Sequence, residues 1–217
     1  MEKEYRTIAH AAQSELEEKR SRFLGYIHPV ASEEEALAFL ETVRARHWDA
    51  RHNVYAYRLR EGGRSRFSDD GEPQGTAGMP VLEVLQKREL FDCIVVVTRY
   101  FGGILLGTGG LVRAYSQAAS LAVDAAGGRW MRPCALCCLE CDYADYGRIS
   151  SLIPEWEGRV DDTQFAQYVT LAFRLPQTAM ERGFERALAD ATGGRVECRV
   201  TGEGYLPVDE GAWMPPK

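Results

Sequence analysis

The clearest signal in the chain is a change of hydrophobic period. Cys93-Ile94-Val95-Val96-Val97-Thr98 is an uncharged, largely β-branched run, the pattern of a strand buried on both faces. Arg99-Tyr100-Phe101 ends it, and Gly102, Gly103, Gly107, Gly109 and Gly110 follow. From Leu111 the pattern turns helical, with Leu111, Val112, Tyr115, Ala118, Ala119 and Ala122 recurring and Gly127 placed to stop the helix. The glycines therefore fall between the end of a buried strand and a helix start, where unpaired backbone N–H groups attract anions.

The flanking stretches predict two α+β domains. In the first, Ser14–Lys19 suits an exposed strand, and Arg22–Val30 alternates, with Phe23, Gly25, Ile27 and Pro29 on one side. Ser32 and Glu35 form a capping box for a helix whose apolar stripe is Ala36, Leu37, Phe39, Leu40 and Val43. Asn53–Leu59 is the next strand, and Glu61–Gly78 reads as a long Gly/Ser/Asp loop. Gly127–Pro133 is the linker candidate, separating domains expected at 1–127 and 134–217. The second domain reads as strand Cys134–Tyr143, helix Ala144–Trp156, strands Glu157–Gln164 and Tyr168–Leu175, helix Thr178–Ala191 and strand Val196–Val200. Thr178 and Glu181 read as a capping box, with Met180, Phe184, Ala187 and Leu188 inward. The order β-α-β-β-α-β is the ferredoxin-like split motif.

Charge narrows the function classes. The net charge is −6 over 217 residues, and it divides as −2 for residues 1–127 and −4 for 128–217. Neither part binds polyanions by bulk charge, so any nucleic-acid contact needs a local cationic patch. Met1–Arg6 is charged and no apolar leader follows, and no apolar run approaches a membrane span. A cytoplasmic location with reduced thiols is expected, and no membrane partner.

Five motifs in order resemble the Impact/YigZ family, formerly an uncharacterised protein family. They are Arg51–Tyr57 (RHNVYAY), Ser68–Pro73 (SDDGEP), Gly75–Gly78 (GTAG), Val97–Gly103 (VTRYFGG) and Leu106–Tyr115 (LGTGGLVRAY). The second domain resembles the C-terminal domain of bacterial YigZ-type members. The resemblance implies an N-terminal domain similar to the second domain of ribosomal protein S5. It also implies a ferredoxin-like C-terminal domain similar to one in elongation factor G. Eukaryotic relatives bind translation-control factors and restrain a starvation-responsive kinase. The expected function is then a non-catalytic translation-associated regulator that contacts RNA, the ribosome or a translation factor. The alternatives are an enzyme acting on a small phosphorylated or carboxylated substrate, and a pure protein-interaction module.

The candidate binding residues are His52, Asp69, Asp70, Glu72, Arg99, Tyr100, Gly102, Gly103, Gly107, Gly109, Gly110 and Arg113. The glycines either cradle an anion or only permit tight packing; the stretch matches neither GxxxxGK[ST] nor GxGxxG. Arg99, Tyr100 and Arg113 either grip a phosphate and stack on a base or anchor the loop. His52 is a general base, a nucleic-acid contact or a hydrogen-bonded strand start. Asp69, Asp70 and Glu72 cap backbone N–H groups or hold Mg²⁺. Cys134, Cys137, Cys138 and Cys141 suggest zinc, but on a strand they point to two faces and cannot converge on one ion. No metal and no cofactor is expected.

Overall fold

A computed structural model describes residues 4–209; the outermost ends of both expected domains, 1–3 and 210–217, lie outside it. Two compact units divide at Trp130/Met131. Among the described residues no helix is long and apolar enough to cross a membrane.

The first unit begins with the short strand β1 (Tyr5–Ile8) and is built on the antiparallel sheet β2-β3-β6-β4-β5. Its strands are β2 (Ala12–Glu18), β3 (Ser21–Pro29), β4 (His52–Arg58), β5 (Ser65–Ser68) and β6 (Cys93–Tyr100). Its helices are α1 (Glu33–Arg46), α2 (Gly78–Lys87) and α3 (Thr108–Ala126). The uncharged run is the central strand β6, and its two-residue period sorts it between two cores. Cys93, Val95 and Val97 pack with residues of α2 and α3, whereas Ile94 and Val96 pack with Ala36, Leu40 and Val43 of α1. Helices thus cover both faces, which is why no polar alternation was visible in this strand.

Ser32 accepts the Glu35 N–H, while the Glu35 carboxylate reaches back to the Ala31 N–H. The capping box closes one residue further back than its usual form. Leu37 and Val112, placed on apolar stripes by spacing, are more than one-third exposed. The expected loop Glu61–Gly78 contains a 3₁₀ turn at Glu61–Gly63 and the edge strand β5 on β4. Ser-Arg-Phe-Ser is largely exposed, so it carries no burial pattern to announce a strand.

The second unit follows the expected order, with β7 (Gly128–Cys141), α4 (Tyr143–Glu155), β8 (Arg159–Phe165), β9 (Val169–Pro176), α5 (Gln177–Glu181), α6 (Phe184–Thr192) and β10 (Arg199–Asp209). β9 lies between β7 and β8, and β10 pairs with β7, the strand order of a ferredoxin-like split motif. Three details differ from the sequence reading. Gly127–Pro133 is not coil, because β7 already starts at Gly128. The helix expected over Thr178–Ala191 is broken at Gly183, whose φ is 100°, and Thr178 lies inside α5 without capping it. The last strand begins at Arg199 rather than Val196. The cysteine-rich stretch is a strand, and Cys137 and Cys141 face the core with Phe173 and Ile149. All six cysteines are free thiols.

Gly102 explains how the glycine-rich turn is held. A Cβ there would stand 2.0 Å from the Arg20 backbone carbonyl carbon and oxygen, so the turn lies directly against the β2–β3 hairpin. Gly103 has open space around its missing Cβ but a φ of +84°. Gly102→Ala is therefore expected to lower the melting temperature markedly by forcing the two backbones apart. Gly103→Ala should cost only about 1 kcal/mol of backbone strain. Thermal melts of both variants check this ranking, and equal melts contradict it.

Candidate functional site

The end of β6 is the meeting point of the site residues. In register, Arg22 of β3 faces Tyr100 and His52 of β4 faces Arg99. The start of β3, the end of β6 and the start of β4 therefore lie abreast, and the glycine-rich turn leaves from the middle strand. The two-residue hairpin turn Lys19-Arg20 sits at the same end of the sheet.

Arg99 and Tyr100, adjacent in sequence, part to opposite faces. Arg99 follows Val95 and Val97 into the α2/α3 side. Its Nη1 donates to Glu72 Oε1 at 2.6 Å, and the Tyr115 hydroxyl donates to the same oxygen at 2.8 Å. All three groups are buried, and the guanidinium lies 5.4 Å from the Phe23 ring centre and 5.6 Å from that of Phe101. Burial, reinforced by the Glu72 charge, holds the Tyr115 phenol above its ordinary pKa, so it stays a donor. Arg99 is thus committed to an internal ion pair, with its Nε left without a partner.

Tyr100 follows Ile94 and Val96 to the α1 side. There it joins a chain of hydrogen bonds outside the predicted set. Its hydroxyl donates to Asp49 Oδ1 at 2.9 Å and lies 2.9 Å from His47 Nδ1, while His47 Nε2 lies 2.7 Å from the Tyr26 hydroxyl. Since Tyr100 gives its proton to Asp49, it accepts from His47 Nδ1–H. A neutral ring in this network is the Nδ1–H tautomer, with Nε2 accepting from Tyr26. Burial, with Arg46 adding to it, lowers the His47 pKa.

The acidic loop serves the fold at every position. Asp69 accepts from the N–H groups of Gly75, Ala77 and Gly78 and so caps the start of α2. Asp70 accepts from the Asn53 N–H at 2.6 Å and from Arg44 at 3.2 Å. His52 Nδ1 bonds the Asp70 carbonyl, and its ring lies against the space above Gly71. Three carboxylates directed at three different sets of donors do not form a cation site.

What remains open is the turn itself. Gly103, Ile104, Leu105, Gly107, Thr108 and Gly109 are exposed. Gly107, at φ 72°, is the N-cap of the nineteen-residue α3 and makes no side-chain cap. A Cβ at Gly103, Gly107 or Gly109 would meet nothing within 4 Å. Beside the first turn of α3 is a concavity of about 250 Å³ lined by Lys19, Glu18, Leu106, Gly110 and Arg113. The structure therefore brings Arg113 and the glycines together and separates them from Arg99, Tyr100, His52 and the acidic loop. Lys19 and Arg20 were missed by sequence reasoning. Their signal was two cations in a hairpin of exposed charges, without a glycine or asparagine to announce the turn. They adopt φ of 47° and 65°, a region that non-glycine residues enter at a cost.

Comparison with known proteins gives this architecture a class. The Impact N-terminal domain family model matches residues 19–123, and the Domain of unknown function (DUF1949) model matches 139–195. The IMPACT family member YvyE of Bacillus subtilis is 34% identical over 203 residues, covering 93% of each chain. A solved structure described as that of a hypothetical protein is 33% identical with a TM-score of 0.60, covering 93% of this chain and 99% of the other. The Dictyostelium discoideum Protein IMPACT homolog is 39% identical over 95 residues, 42% of this chain and 27% of that protein. The chain belongs to the IMPACT family, as a bacterial-type member with both domains.

Glu72→Ala removes the acceptor shared by Arg99 and Tyr115 and is expected to cost about 3–5 kcal/mol, as for any broken buried ion pair. A lower urea midpoint would show it, and an unchanged midpoint would contradict it. His47 should titrate below the usual histidine value in an NMR pH series. The sign is that of a depressed base: the unfolded chain takes its proton first as pH falls below about 6.5. Stability therefore drops from there down through the folded pKa, and His47→Gln should flatten that drop.

Proposed function

We propose that this protein is a non-catalytic, translation-associated regulator that binds RNA, the ribosome or a translation factor through its glycine-rich turn. Membership of the IMPACT family supports the translation setting, given that eukaryotic relatives act on translation control. The observation that carries the binding reading is the exposed, glycine-rich start of α3 flanked by Lys19 and Arg113, with the Arg20 backbone against Gly102. Unpaired N–H groups at a long helix's positive end favour phosphate or carboxylate. Bare glycines let such a group approach the backbone, and the cations sit where a polyanion would continue. Phe101, Ile104 and Leu105 add exposed apolar surface beside them.

The enzyme reading has weaker support. His52 Nδ1, Asp69, Asp70, Glu72 and Tyr115 each hold a structural hydrogen bond. None is left uncommitted beside the turn to move a proton.

The experiment is an RNA titration by fluorescence anisotropy at several salt concentrations. Wild type should bind with a shallow slope, because a net charge of −6 confines binding to a few local contacts. Arg113→Ala should remove roughly one phosphate's worth of slope. Gly109→Val should weaken binding more, since its branched side chain obstructs the N–H groups, with little change in melting temperature. If wild type binds no RNA and RNase treatment leaves captured lysate partners in place, the contact is with protein instead.

A further inference from the structure

The most exposed large apolar side chain among the described residues is not in the glycine-rich turn. It is Trp48, with 84% of its surface accessible. It lies in the turn after α1, between two anchored neighbours: His47 is held by Tyr26 and Tyr100, and Asp49 by Tyr100. The Ala50 N–H closes the turn on the His47 carbonyl at 3.0 Å. The backbone carrying the indole is thus fixed while the ring stands in water.

Its neighbours along the chain are cationic rather than apolar. Residues 44–52 read Arg-Ala-Arg-His-Trp-Asp-Ala-Arg-His. Arg46 and Arg51 are exposed, and Arg46 lies 5.8 Å from the Tyr26 ring centre. Arg44 is bound by Glu41 and Asp70, and the single acid, Asp49, already accepts from Tyr100. A protein interface needs a contiguous apolar centre, and charged or polar residues flank this tryptophan along the chain. A flat aromatic face among arginines is instead the platform on which unpaired bases stack while their phosphates are neutralised.

Tyr100 connects this platform to the proposed contact surface. Its hydroxyl fixes the Trp48 turn, and the next residues in the chain are Phe101 and the glycines. Adjacent strands are about 5 Å apart, so the ends of β3, β6 and β4, which carry Arg22, Tyr100 and Arg51–His52, span about 10 Å.

We infer that Trp48 is a base-stacking residue, flanked by Arg46 and Arg51, in a single-stranded RNA site that crosses the end of the sheet from the glycine-rich turn. This rests on the reading of that turn as an RNA contact, and it adds the class of RNA: one with unpaired bases. A duplex hides its base faces and has nothing to offer the indole.

The test uses the full chain and fluorescein-labelled oligouridylate, its duplex with oligoadenylate and oligothymidylate as probes. Wild type should prefer the single strand to the duplex. Trp48→Ala should weaken oligouridylate binding about tenfold or more, the loss expected for one stacked base, with an unchanged melting temperature. Trp48→Phe should retain most of the affinity, and Arg51→Ala should lose a few-fold and reduce the salt slope. Binding of oligothymidylate equal to oligouridylate supports stacking without readout of the sugar. Overturning results are Trp48→Ala binding like wild type, Trp48→Phe falling as far as Trp48→Ala, or the duplex binding as tightly as the single strand. If Gly109→Val alone weakens binding, the stacking site fails and the glycine-turn reading stands. If wild type binds no RNA, the stacking site and the RNA reading of the turn both fail.

Discussion

Strand β6 has no face toward solvent, and the first unit is arranged around that constraint. A strand between two helical layers must distribute alternate side chains to two cores. Its five interior apolar residues do so without conflict. Its last two residues are polar and must follow the same alternation. Arg99 is carried into the α2/α3 side, where a buried guanidinium requires a counter-charge. Glu72 supplies it from the acidic loop, and Tyr115 occupies the same carboxylate oxygen from α3. Tyr100 is carried to the other side, where it ties down the end of α1. One strand end thus fixes a loop, a helix and a turn, and leaves the following glycines as the uncommitted segment.

That division of labour bears on function. Charged groups that look catalytic in sequence are used to position backbone: Asp69 caps α2, Asp70 holds the start of β4, and Glu72 neutralises Arg99. They leave open the glycine-rich start of α3, beside a hairpin whose two cations sit in left-handed backbone geometry. A surface made from backbone N–H groups and a few long cations suits binding, in which recognition comes from fixed donors and no proton needs to move.

The sequence made the framework legible because burial leaves a period. The uncharged run predicted a two-sided strand, the spacing after Leu111 predicted α3, and β-α-β-β-α-β order emerged from strand alternation, helical spacing and capping signals. Where burial was weak, legibility failed. Edge strand β5 was hidden in a polar loop. Gly183 divided a helix whose apolar spacing continued across it. The start of β7 read as linker because Gly and Pro are also turn signals. The site was legible in part: glycine positions identified the turn, and Arg113 lies beside it. The facing of Arg99 was not, since adjacency in sequence concealed that a strand sends neighbours to opposite sides. Nor were Lys19 and Arg20, whose place beside the turn depends on the β2–β3 register, nor Trp48, whose fixed and exposed position depends on the bonds of His47 and Asp49 to Tyr100.

We propose the end of the sheet around the glycine-rich turn as the binding surface. Amide NMR of the full chain during titration with oligouridylate tests it most directly. The largest shifts are expected at Gly103, Gly107, Gly109 and Gly110, with accompanying changes at Lys19, Arg20 and the Trp48 indole N–H. Shifts confined to residues 131–208, with the turn amides unmoved, would contradict it.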